Sequence, residues 1–364
     1  MANHGRFSRP QRDYLLHDSA EHARSYRNEL RAALKAYPSG NRGEMKRRLY
    51  SETASGFWSA SMELRLYGVL SGLGSVEVHP TIQGMESHPD YRVSTSETGL
   101  FVEATVALDS DEDREQHQRL VHLLDAIDSI FLPFGVWVDP VTDLAPDLDD
   151  DAVIGFLRQE LESLESSQVE KGSLLTFRKR TGAGVTEIDF EVWPREEAQT
   201  LVEAWGPTAA QELTTHETIR RRVQHKATKY GELGAPFVIA IWPRLQFPAV
   251  EESVMRGLYG TVTLVYSKQD MTLKEVVRQP DGAFNLRVGE QVLNQQVSAV
   301  AVHLERLMGH GWERYWLLYH NPFALRPLST SVFNTIPQLV FERTPGGFSG
   351  HWLDGVDPWE SMFR

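Results

Sequence analysis

Two runs of sequence constrain the fold more than any other feature: "TGLFVEATVAL" at 98–108 and "PFVIAIWP" at 236–243. Both are nearly continuous apolar stretches rich in Val, Ile, Phe and Thr, of strand length and with little polar alternation. A strand apolar on both faces must be covered on both faces, which places it in the middle of a helix-flanked sheet. The second run follows "THETIRRRVQHKATKYGEL" (215–233), a basic helical pattern with Thr215 and Thr218 as candidate caps. Helix feeding buried strand is the signature of an α/β fold with a mixed central sheet.

The remaining elements fit that frame. Residues 11–36 have a helical pattern with a basic face, broken by "YPSGNRG" at 37–43. A second helix is predicted over about 52–72, because Trp58, Met62, Leu66, Val69 and Leu70 recur at helical spacing; Gly72 and Gly74 end it. "VEVHPTIQ" and "YRVST" have the form of short strands. An acidic helix over 112–130, a strand "FGVWVDPV" and a helix opening on "DLDDD" follow. "SLLTFRKRTGAGVTEIDFEVWP" predicts a hairpin turning on "TGAG". "TVTLVYS", "VSAVAVHLE", "RYWLLYHNP" and "PQLVFER" supply strands to the last third.

Charge is unevenly placed. The net charge is -13, yet residues 1–50 carry 11 Lys/Arg against 5 Asp/Glu, and residues 109–170 carry 3 against 17. The total therefore leaves room for a polyanion docking on the basic regions; the structural alternative is two solvated helix faces. There is no cysteine, which removes disulfides, thiolate metal sites and thiol nucleophiles. No apolar stretch approaches the roughly 18 residues of a membrane span. The N-terminal Arg and His lack the apolar run of a secretory signal. A cytoplasmic location with no membrane partner is the expectation.

The acids that invite a chemical reading are Asp90, in the turn "HPD", and Glu103, thirteen residues later in the first apolar run. With Glu63 on the preceding helix they make an ordered set: helix Glu63, then Pro89–Asp90, then Glu103-Ala104-Thr105. This set resembles the PD-(D/E)XK nuclease superfamily, whose core is a helix, a strand meander, a crossover helix and a fourth strand. The resemblance covers roughly residues 55–107 and resumes over 215–242, so a large insertion at about 108–214 is implied. It implies a restriction-endonuclease-like core and Mg²⁺ or Mn²⁺ held by Asp90 and Glu103, with Glu63 assisting. Hard cations take oxygen ligands, and a metal beside a phosphate polarises it and activates water.

The departure is Thr105. The family pattern has lysine there, on the same strand face as the glutamate, to orient water and offset transition-state charge. A threonine carries no charge. Ile219, Val223, Lys226 and Tyr230 form one helical stripe, and "KATKY" resembles the Q-x-x-x-Y motif of some superfamily members, with Lys226 at the glutamine position. Lys226 is thus the candidate substitute cation. Its alternative is a lysine whose stem lies on apolar surface and whose head stays in water.

Other constellations carry less. There is no G-x-S-x-G elbow for a serine hydrolase, and the hydroxyls around His320 and Asn321 read as a turn opened by Asn-Pro. "GLGS" and "TGAG" are too short for phosphate loops. No His pair has H-E-x-x-H spacing; His79 and His88 both precede proline and read as turn residues, with water positioning as the alternative.

The expected organisation is a basic helical arm over 1–43, an α/β nuclease-like body over 44–340 with its insertion and a C-terminal β-rich extension, and a tail over 341–364. The expected function is a metal-dependent phosphodiesterase with nucleic acid, DNA before RNA, as partner, contacted by Arg220, Arg221, Arg222 and Lys229. The alternative is a non-catalytic binding or assembly module derived from the nuclease fold. A homo-oligomer or a protein partner is compatible with both.

Overall fold

The computed structural model of the chain describes residues 11–51, 53–108, 111–164, 170, 172–205, 209–244, 251–267, 272–308, 311–344 and 347–353. The chain divides into two compact units, residues 18–108 with 215–364, and residues 1–17 with 109–214. Among the described residues no helix is long and apolar enough to cross a membrane.

The larger unit is a mixed α/β structure around an eight-stranded sheet. Its spatial order is Ser75–Val78, Tyr91–Ser94, Gly99–Leu108, Phe237–Arg244, Ala299–Met308, Gly311–His320, Gln338–Thr344 and Gly347–Leu353. The first three strands form an antiparallel meander. Gly99–Leu108, Phe237–Arg244 and Ala299–Met308 then run parallel. The two apolar runs are therefore neighbours in mid-sheet, and both are buried along nearly their whole length. Gly74 opens the first strand because a Cβ there would stand 2.2 Å from the Ser94 carbonyl oxygen; only glycine permits that backbone approach.

Helices cover both faces. Phe101, Ala107, Ile239 and Ile241 pack with Ile219, Val223 and Tyr230 from the helix Ala209–Ala227 and the turn after it. On the other face lies the helix Ala54–Ser71, whose Thr53 accepts a hydrogen bond from Gly56 N at 3.3 Å as N-cap. Trp58 of this helix meets Trp242 edge-on, 5.5 Å between ring centres, a favoured aromatic geometry.

The smaller unit carries a four-stranded sheet, ordered Ser173–Arg180, Val185–Thr200, Phe131–Pro140, Val202–Trp205, with helices Asp111–Asp128 and Asp150–Ser163. Leu120, Leu124, Ile127, Val153, Leu157 and Leu161 from the helices bury against Phe134, Val136, Ile188 and Phe190. Asp149 caps the second helix, accepting from Asp151 N at 3.2 Å.

Several boundaries differ from those the sequence suggests. The region 1–43 is not one separate arm. Its helix Glu21–Ala36 buries Ala23, Tyr26 and Leu30 and belongs to the larger unit. Its basic residues flank an apolar stripe that packs: Tyr26 meets Phe57 at 6.3 Å, and Glu29 pairs with Arg65 at 3.0 Å. A helix Arg42–Leu49 starts inside the predicted break, since Pro38 and Gly40 end one helix and Asn41 opens the next. The basic helix begins at Ala209, so Thr215 and Thr218 lie inside it and do not cap it. Val262–Tyr266 pairs with Leu273–Arg278 in a separate ribbon, outside the main sheet. The expected tail is also shorter: Gln338–Thr344 and Gly347–Leu353 are sheet strands. Residues 1–10 of the expected arm and 354–364 of the expected tail lie outside the described residues.

Candidate functional site

Glu63, Asp90 and Glu103 line one cleft of about 360 Å³ in the larger unit, together with Thr105 and Lys226. Each reaches it by a different element, and each is held there by specific bonds.

Asp90 ends the loop before the strand Tyr91–Ser94. That strand pairs with Gly99–Leu108 only as far as Tyr91 opposite Val102. Beyond it the Ala104 N–H has lost its strand partner, and Asp90 Oδ2 accepts it at 2.7 Å. The bond pins the carboxyl over the middle of the neighbouring strand. Burial, then the like charges of Glu103 and Glu63, push the Asp90 carboxyl up to about 8.

Glu103 is buried, 1% exposed. Its Oε1 accepts from Lys226 Nζ at 2.6 Å and from Lys229 Nζ at 2.9 Å, and its Oε2 accepts from the Tyr230 hydroxyl. Tyr230 also approaches the His88 carbonyl at 2.8 Å. Burial, and then the hydrogen bond to Glu103, hold the Tyr230 phenol above its ordinary value, so it stays a donor. Thr105 sits two residues on, buried, and lines the cleft without adding charge.

Glu63 is buried on the helix Ala54–Ser71 and is gripped by Arg48, one bond being Arg48 Nη1 to Oε2 at 2.8 Å. The Tyr91 hydroxyl donates to the Glu63 carbonyl at 2.9 Å, tying the helix to the sheet. The bond to Glu63 holds the Arg48 guanidinium above its usual range.

The structure thus brings Glu63, Asp90, Glu103 and Lys226 together. The expected nucleic-acid contacts separate. Arg222 lines the cleft. Arg221 is highly exposed and pairs with Glu217 one turn away at 2.9 Å. Arg220 donates to the Asp281 carbonyl at 3.0 Å. Lys229 also lines the cleft, but its ammonium is bound to Glu103. His79 and His88 serve the turn. His79 N donates to the Asp90 carbonyl at 2.8 Å with φ +50, and His88 Nδ1 accepts from Ile82 N at 3.2 Å.

Three participants escape the sequence reading as site residues: Arg48, His225 and the Lys229–Glu103 contact. Lys229 stands three residues after Lys226, so helical spacing carries that signal. Arg48 lies on a short separate helix, and nothing local in the sequence joins it to Glu63. His225, on the cleft wall, stands three residues after Arg222 and four before Lys229, so helical spacing carries its signal too.

Among the described residues, no group of three or more His, Cys, Asp or Glu is placed to hold a metal. Two carboxylates remain as oxygen donors. Asp90 Oδ1 meets no donor among the described residues, and Glu103, with three bonds, keeps one lone-pair direction. Mg²⁺ is commonly held by one or two carboxylates plus waters; burial first, and then the like charge of Glu103, raise Asp90, and a cation would relieve the second. The donor chemistry fits a hard divalent ion.

Comparison with protein families, with curated proteins and with solved structures finds no match to the chain.

Proposed function

We propose that the chain is a metal-dependent phosphodiesterase acting on nucleic acid, DNA before RNA, built on a restriction-endonuclease-like core. The observation that carries this reading is the 2.6 Å contact between Lys226 and Glu103 in the cleft that also holds Asp90. A cation missing from position 105 is supplied by the crossover helix. Helix, three-strand meander, crossover helix and a parallel fourth strand follow the order of the core that the motif resembles, with the smaller unit inserted between meander and crossover.

Asp90 and Glu103 would hold the metal, Mg²⁺ or Mn²⁺, which would polarise the phosphoryl oxygen and lower the pKa of the attacking water. Lys226, held beside Glu103, would offset part of the negative charge that grows on the phosphoryl group. Tyr230 and Lys229 fix the Glu103 carboxylate. Arg48 neutralises Glu63, keeping a third carboxylate from adding its full charge where a phosphate must approach.

The second reading is a non-catalytic module of the same ancestry. It is favoured by one observation: Glu63 and Glu103 are already paired with Arg48, Lys226 and Lys229, a network that can serve stability alone. The test is cleavage of single- and double-stranded DNA and RNA by the purified chain, with Mg²⁺, Mn²⁺ or chelator, beside Asp90→Asn and Lys226→Met. Metal-dependent cleavage lost in both variants supports the enzyme. A wild-type chain that neither cleaves nor gains thermal stability across a wide Mn²⁺ range favours the module.

A further inference from the structure

The basic side chains of the cleft are not equivalent. Arg48 is bound to Glu63, and Lys226 and Lys229 are bound to Glu103. Arg222 and His225 line the same cleft, and among the described residues neither side chain has an ion-pair or hydrogen-bond partner. They stand three apart on the helix Ala209–Ala227, hence on one face of it. Their face continues toward Lys226 and Lys229. Across the cleft, Ser55 and Ser59 stand four apart on the helix Ala54–Ser71, again on one face. The wall beyond the carboxylates is therefore a set of donors: a guanidinium, an imidazole and two hydroxyls.

We infer that Arg222 and His225, with Ser55 and Ser59 opposite, seat a backbone phosphate of a nucleic-acid strand, the one neighbouring the phosphate that lies over Asp90 and Glu103. The inference rests on the proposed function for the identity of the polymer. It adds the residues that hold the strand in register. A phosphodiester carries one negative charge and oxygens that only accept hydrogen bonds, and guanidinium is well shaped for such a group. Lys226 and Lys229 cannot fill this role while they neutralise Glu103. Arg220 and Arg221 do not line the cleft; one is bound to the Asp281 carbonyl and the other is turned to Glu217. One of three successive arginines is left to meet the substrate.

The test is binding without chemistry. A fluorescein-labelled oligothymidylate is titrated with the full chain in chelator, over a range of salt, for wild type, Arg222→Gln, His225→Gln and Arg221→Gln. Arg222→Gln is expected to weaken binding about tenfold and to lower the log–log salt slope by roughly 0.7, the value for one single-strand phosphate contact. His225→Gln is expected to weaken binding by a smaller factor in the same direction. Arg221→Gln should match wild type. Thermal midpoints within a degree or two of wild type would show that the variants are folded. Equal affinity and slope for wild type and Arg222→Gln would overturn the subsite, as would a wild type that does not bind. The readout is separate from cleavage: an Arg222-dependent slope in a chain that never cleaves keeps the phosphate seat and removes the enzyme.

Discussion

Lys226 and Lys229 set their ammonium groups on the same oxygen of Glu103, at 2.6 and 2.9 Å, while Tyr230 takes the other oxygen. A turn of helix and the residues just past its end have thus gathered two ammonium groups and a phenol around one buried strand carboxylate. The two lysines differ in burial: the Lys226 side chain is 18% exposed and Lys229 33%.

That difference orders their roles. Lys226→Met keeps the stem and removes the charge, so the protein should stay folded while single-turnover cleavage falls about 10²-fold, the scale of losing one transition-state stabiliser. Lys229→Met should cost less than tenfold, because Lys226 still holds Glu103. Equal losses in the two variants would assign both lysines to fixing the carboxylate alone.

Thr105→Lys tests the vacancy from the other side. A third ammonium would enter a cleft in which Glu103 already accepts two. In an active enzyme the expected outcome is no gain in rate and a lower thermal midpoint. Restored cleavage in a chain otherwise inert would identify a module that lost only its lysine.

Asp90 should make the protein less stable as pH rises. Its folded value is about 8 against an ordinary 3.8, so the native state keeps a proton that the unfolded chain has released. Stability should fall between pH 4 and 8 and level off above. Asp90→Asn removes the ionisation, and its amide oxygen can still accept the Ala104 N–H. The variant should therefore gain on wild type in urea midpoint from pH 5 to pH 8. Mn²⁺ should raise the wild-type midpoint and leave the variant unmoved.

His303 works with the opposite sign. It is buried between Trp242 and Trp316, and burial, then Arg65 and Arg314, push its imidazole down to about 3. The native state refuses a proton that the unfolded chain takes up below pH 6.5. The associated stability is whole above 6.5 and is lost on acidification toward 3, by up to about 1.4 kcal/mol per pH unit. His303→Phe should flatten the acid limb of a plot of unfolding free energy against pH. An unchanged slope would place the proton uptake on other groups.

The sheet was legible because its centre is apolar on both faces, and a run such as 236–243 can be placed nowhere else. The carboxylates were legible because a proline-led turn sets Asp90 just before a strand, and Glu103 is the single charge in the apolar run 98–108. Lys226 could be read from the stripe with Ile219, Val223 and Tyr230. What the sequence hid is long-range pairing. Arg48 reaches Glu63 from another helix, and helix Glu21–Ala36 looks basic while its buried side is Ala23, Tyr26 and Leu30. Arg220, Arg221 and Arg222 look alike in a row, and only their partners separate them.

The smaller unit also bears on how the site comes into being. Glu103 and Lys226 are 123 residues apart, and closing so long a loop delays any contact across it. A segment that collapses on its own core first takes about a hundred residues out of that loop. The strand Gly99–Leu108 and the crossover helix then need to search only over what remains. Refolding should show an early phase reported by Trp137 and Trp193 of the inserted sheet. A later phase, reported by Trp242, would be the one in which the cleft appears. Mutations that loosen the inserted core around Phe134 and Phe190 should slow that second phase without touching one residue of the site.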